Sequence, residues 1–128
     1  MARLKPEFRL RTWGIYTAWD SAAKQLPTIV EVTDRIPAVV DVEFGFIVNV
    51  RKGRTAKLDF CIDHPGILDD EGHRRPPFTG SVHVKTSDWD FFLGDTIWAP
   101  IDDKLGDWHL SVCWEGRVVA ERTFQIYG

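Results

Sequence analysis

Cysteine, histidine and long apolar runs are scarce in this sequence, and each scarcity excludes something. Two cysteines, Cys61 and Cys113, are too few for a disulfide-stapled scaffold. No apolar run approaches the length of a membrane span. The opening "MARLKPEFRLRTW" carries positive charge but no apolar stretch and no small-residue cleavage site, and Met1 is retained. Together these predict a soluble, cytoplasmic protein with no membrane partner. A basic excess is missing too: the net charge is −3 and the pI about 5.8. Phosphate neutralisation drives most nucleic-acid binding, so no nucleic-acid partner is expected. The sequence has no G-x-S-x-G elbow, no phosphate loop and no G-x-G-x-x-G, which leaves an enzyme without its commonest starting points.

What is present is the material of a single globular domain over residues 1–128. Hydrophobic residues make up 44% and charged residues 27%, with six tryptophans and eight phenylalanines to fill a core. Apolar and polar residues alternate far more often than they follow a helical period. "FRLRTWGIY", "TIVEVT", "RIPAVVDVEFGFIVNV", "TAKLDFCID", "SVHVKT" and "DWDFFLGDTIWAP" all read as extended, the last with a turn at Gly94. Gly14 and Gly45 mark bends. "RKGR" reads as a hairpin tip joining two paired strands. "DWHLSVCWEGRVVAERTFQIY" is the clearest unit, two strands turning at Glu115-Gly116. Its inward face is read as Trp108, Leu110, Val112, Trp114, then Val118, Ala120, Phe124 and Ile126. Only "TAWDSAAKQL" suggests a short helix. The pattern predicts an all-β fold: an immunoglobulin-like Greek-key β-sandwich of seven or eight strands.

Side-chain parity decides how the cysteines sit. In "KLDFCID", Leu58, Phe60 and Ile62 share one face, which leaves Cys61 on the other with Asp59 and Asp63. In "WHLSVCW" the apolar alternates leave Cys113 with His109 and Ser111. Both sulfurs therefore point away from the core, and two free thiols are expected.

Four segments are candidates for chemistry. The stretch "CIDHPGILDDEGHRR", residues 61–75, mixes acids, two histidines and a cysteine. His64, Asp69, Asp70 and His73 have the right donor types for a metal, yet their spacing matches neither a zinc motif nor a calcium loop, and the turn-forming residues also suit a solvated loop. His83 and His109 fall on polar strand faces, with no spacing that demands a Cys–His couple. The segment "SDWDFFLGDTIWAP" sets Trp89, Phe92 and Trp98 among carboxylates. Such rings can stack on sugars, form an interface, or fill the core. The basic run "VRKGRTAK" offers Arg51, Lys52, Arg54 and Lys57 to an acidic partner, or serves only for solubility. Charge is uneven along the chain: residues 1–57 balance at +4 and residues 58–128 at −7. A fold that separates these halves in space would be dipolar, which favours a charged partner or self-association.

"WGIY" near the start, "FGF" at 44–46, "HPGI" at 64–67 and the closing "LGDWHLSVCWEGRVVAERTFQI" resemble an uncharacterised bacterial family of domains of unknown function with an immunoglobulin-like sandwich. The resemblance spans nearly the whole chain and implies a complete single-domain protein of that fold. It implies no activity, ligand or catalytic residue. The expectation is therefore a non-enzymatic interaction module without a cofactor, binding a protein partner or itself. The alternatives are a small metal-dependent enzyme or metal-binding protein centred on His64, Asp69 and His73, and a carbohydrate-binding module using exposed aromatic rings.

Overall fold

A computed structural model describes residues 5–19 and 25–128. Nine strands follow in order: β1 (Glu7–Tyr16), β2 (Ile29–Val32), β3 (Arg35–Pro37), β4 (Glu43–Arg51), β5 (Lys57–Asp63), β6 (Phe78–His83), β7 (Asp88–Thr96), β8 (Gly106–Trp114) and β9 (Arg117–Tyr127). They form a four-stranded sheet, β2-β1-β4-β7, packed on a five-stranded sheet, β3-β9-β8-β5-β6. Every pairing is antiparallel except β3 with β9. The expected all-β sandwich is present, with one strand more than the larger expected count. The middle of the short helix expected at "TAWDSAAKQL", residues 20–24, lies outside the described residues. A 3-10 turn, Asp102–Lys104, precedes β8.

Alternation builds the core. Phe44, Phe46, Val48 and Val50 project from one face of β4 and are fully buried. They meet Leu58 of β5, Trp108, Leu110 and Val112 of β8, and Phe124 of β9. Phe44 lies edge-on to Trp108 at 5.3 Å and to Phe124 at 5.6 Å, the arrangement aromatic quadrupoles prefer. Each such side chain stabilises the fold by about 1.5–3 kcal/mol through burial. At the side of the sandwich, Arg122 joins the layers. Its guanidinium lies 4.0 Å from the ring centre of Trp13 and donates to both oxygens of Asp34, at 2.6 and 3.0 Å.

Several expectations are corrected. "RKGR" is not a hairpin tip, because β4 and β5 lie in different sheets and do not pair. The segment is an arch over one end of the sandwich; each flanking strand has its own apolar face to bury, and facing sheets satisfy both. Gly94 is not a turn residue but lies within β7. Register aligns Gly14, Gly45 and Gly94 side by side across three strands. A Cβ on Gly45 would stand 2.2 Å from the Leu93 carbonyl oxygen, and one on Gly94 2.2 Å from that of Phe44. The row lets the backbones approach where no side chain fits. Val118 is 54% exposed rather than inward. An extra residue in β9 shifts the register beside Cys113 and places Val119 against the core instead.

Candidate functional site

The 61–75 stretch forms an ordered loop whose polar groups are consumed locally. His64 is 2% exposed. Its Nδ1 accepts the Ile67 N–H at 2.9 Å, so Nε2 carries the proton and faces the Pro76 carbonyl at 3.3 Å. The imidazole packs against Phe78, with ring centres 5.2 Å apart. Asp69 turns back on its own loop: its Oδ1 accepts the Glu71 and His73 N–H groups, each at 2.9 Å. Arg74 donates to the His64 carbonyl at 2.6 Å and to Asp63 at 3.1 Å. His73 is exposed beside Glu71. No three His, Cys, Asp or Glu side chains converge as metal ligands among the described residues. His64, Asp69 and His73 are therefore not brought together, and His64 is a buried clasp for the loop.

The aromatic segment divides as parity requires. Trp89 and Phe91 stack at 5.6 Å, and Phe91 reaches Phe60 of the opposite sheet at 6.2 Å. Phe92 points the other way yet is only 2% exposed, because Tyr16 and Trp19 lie edge-on to it at 5.0 and 5.1 Å. It has no surface to offer a partner. Trp98 remains 37% exposed, but the Lys104 ammonium lies 4.4 Å from its ring centre. Lys104 is itself 1% exposed. Its Nζ donates to the Pro100 carbonyl at 2.7 Å and faces Asp103 Oδ1 at 2.8 Å. Partial burial pushes the Asp103 carboxyl up, but Lys104 and the Leu68 N–H outweigh it and hold it below its ordinary value. Trp108 closes the group by donating its indole N–H to the Lys104 carbonyl at 2.8 Å.

Two carboxyls mark the same end. Asp95 is pushed up to about 6, chiefly by burial and further by Glu43, against the Thr96 N–H and Lys104. Burial likewise raises Glu43, whose Oε1 accepts from the Thr96 hydroxyl at 3.0 Å and the Trp19 N–H at 3.2 Å.

The opposite end is open. Around the arch lies a recess of about 390 Å³, with Lys52, Arg54 and Lys57 on its rim, Asp59 and Glu115 beside them, and Trp114 as an apolar wall. Gly53 is buried beneath it, where a Cβ would meet Val50 at 2.8 Å and Pro6 at 3.1 Å. Lys52 and Thr55 hold positive φ, +59° and +72°, which non-glycine residues adopt at a cost. Lys52 pairs with Glu7 at 3.0 Å and Lys57 with Asp59 at a loose 3.9 Å, both in solvent. Arg54 meets no carboxylate among the described residues. Arg51 is not part of this group; it turns onto the outer face of β4, 3.9 Å from Asp88. Trp114 packs partly buried against the core, as its parity implies, and its remaining surface walls the recess, a second role the sequence did not signal. Only the end of β8, adjoining the arch in space, reveals it.

Both cysteines are free and partly exposed, as parity requires. Burial pushes the Cys61 thiol up, and Asp63 and Cys113 add to the shift, so it is a poor nucleophile.

Two facing sheets in this order, with a short strand laid parallel to the last, define an immunoglobulin-like β-sandwich. An immunoglobulin-like protein from Pseudomonas aeruginosa shares the fold with a TM-score of 0.77 and 18% identity, over 99% of this chain and 100% of that one. The chain belongs to the family described as domain of unknown function DUF3859, whose pattern matches residues 4–126. An alkylpurine DNA glycosylase from Pseudomonas fluorescens, bound to DNA with an abasic-site analogue, aligns with a TM-score of 0.46 and 12% identity over 95% of this chain and 31% of that one, too weak a likeness to inform fold or activity. Comparison with curated proteins finds no match.

Proposed function

We propose that this domain is a non-enzymatic binding module whose arch end takes an acidic segment of a protein partner. One observation carries the reading: three cationic side chains and an indole surround an open recess in a chain of net charge −3. The rim ion pairs are solvent-exposed, and such pairs contribute only about 0–1 kcal/mol, so a partner carboxylate can replace Glu7 or Asp59 at little cost. Arg54 supplies a planar donor fork suited to a carboxylate. Trp114 supplies apolar contact beside the charges, a combination common where interfaces concentrate binding energy.

The test is calorimetric titration with a glutamate-rich peptide and with its glutamine counterpart. Binding of the first alone, weakened by salt and abolished in R54E/K57E, is the expected result. Equal binding by that variant, or none by the wild-type protein, would refute the reading. Pull-downs from native lysate with both baits then identify the partner as the protein retained by the wild type and lost from the variant.

A further inference from the structure

The outer face of the five-stranded sheet carries a second feature, which meets the arch recess at Asp59 alone. Register sets Cys61 of β5 opposite Ser111 of β8, and Cys113 of β8 opposite Asp59 of β5. The cysteines are therefore diagonal neighbours on one face, since the intervening pair, Phe60 and Val112, has the opposite parity. They share a shallow trough of about 410 Å³ with Thr79, Ser81 and Ser111, side chains too small to shield them. Both sulfurs are free.

This spacing is poor for a disulfide and suited to a bridged pair. Diagonal residues on adjacent strands stand about 7–8 Å apart at Cα, whereas disulfides need about 4.4–6.8 Å. An ion held between two sulfurs spans a wider gap than a direct S–S bond. Zinc would want four ligands, and no third donor converges here: the nearby His109 is engaged by the Thr123 hydroxyl at 2.8 Å and by Glu121 at 3.4 Å. Thiolates select soft ions, and Cu(I) is satisfied by few ligands. Asp63, next but one to Cys61, adds negative potential there even though Arg74 pairs with it at 3.1 Å, and Asp59 lies in the trough with Lys57 only loosely paired at 3.9 Å.

We propose that Cys61 and Cys113 form a two-coordinate thiolate site for a soft cation of the Cu(I) class. Two S–H bonds break, two S–Cu bonds form, and two protons pass to solvent. No electrons are transferred, so no oxidant or reductant takes part.

The experiment is anaerobic titration of the reduced full chain with Cu(I), in competition with the chromophoric chelator bathocuproine disulfonate. The expected result is one Cu(I) withdrawn per chain, with both thiols lost to Ellman's reagent in step. C61S and C113S should each lose this uptake while keeping the wild-type circular dichroism. Should either variant fail to fold, blocking the wild-type thiols with N-ethylmaleimide before titration reads the same quantity. Uptake unchanged by the serine variants or by blocking, or no uptake by the wild type, overturns the site. None of these outcomes depends on the arch, because R54E/K57E leaves both thiols in place.

Discussion

The two ends of the sandwich use polar residues in opposite ways. At one end His64, Asp103, Lys104 and Trp108 are buried or nearly so, and hydrogen bonds or an ion pair engage each of them. At the other end Lys52, Arg54 and Lys57 stand in solvent around a recess, and the backbone between them holds two strained residues. A buried polar group costs free energy unless it is paired, so the closed end had to be completed within the chain. Exposed cations carry no such obligation and remain available. The difference teaches that chemical variety in a loop is a poor guide to function. The loop richest in histidine and acid spends its polar groups on its own architecture, whereas the plain basic arch keeps its charges in solvent.

Four experiments break or sharpen this contrast. The largest effect is expected from the two tryptophans. Trp108→Ala removes a fully buried ring at the closed end and should cost about 3–5 kcal/mol in urea unfolding. Trp114→Ala, at the open end, should cost less than half as much. Equal losses would mean the two ends do not differ. Next, Gly45→Ala should cost about 3 kcal/mol by the same measurement, since its Cβ would collide with the Leu93 carbonyl within the sheet that both ends share.

A smaller effect belongs to Asp95. Its folded pKa of about 6 lies above the ordinary 3.8, so the folded state binds this proton more tightly than the unfolded chain does. The resulting stability is fully present below about pH 3.8 and is lost as pH rises through about 6. Asp95→Asn should therefore raise the melting temperature at neutral pH by a few degrees and flatten its fall between those two values. A variant with an unchanged pH profile would show that the carboxyl titrates normally. The smallest effect on stability is expected from Arg54→Glu with Lys57→Glu, within about 0.5 kcal/mol, even though peptide binding is lost. Marked destabilisation there would make the arch structural too.

Much of the fold was legible in the chain. Alternation in "KLDFCID" and "WHLSVCW" identified the inward-facing residues of β5 and β8, and the same parity left both cysteines outside and unpaired. Less was legible wherever an outcome depended on which strands became neighbours. "RKGR" has the composition of a hairpin tip, and nothing local says that β4 and β5 pass to opposite sheets. Gly14, Gly45 and Gly94 read as separate bends or turns until register aligned them. Phe92 has the parity of an exposed ring, but Tyr16 and Trp19 cover it from distant points in the chain. Trp114 faces the core as its parity implies, but parity cannot tell the middle of a sandwich from its end, where part of the ring lines the recess.

By itself, then, the sequence determined an all-β sandwich, the composition of its core and the outward direction of its thiols, because side-chain alternation is a property of each strand alone. Only the tertiary structure decided that His64 is a clasp, that Lys52, Arg54 and Lys57 share a recess with Trp114, and that Cys61 lies diagonal to Cys113. Those are distances between residues remote in the chain, and they exist only once the sheets have chosen their partners and register.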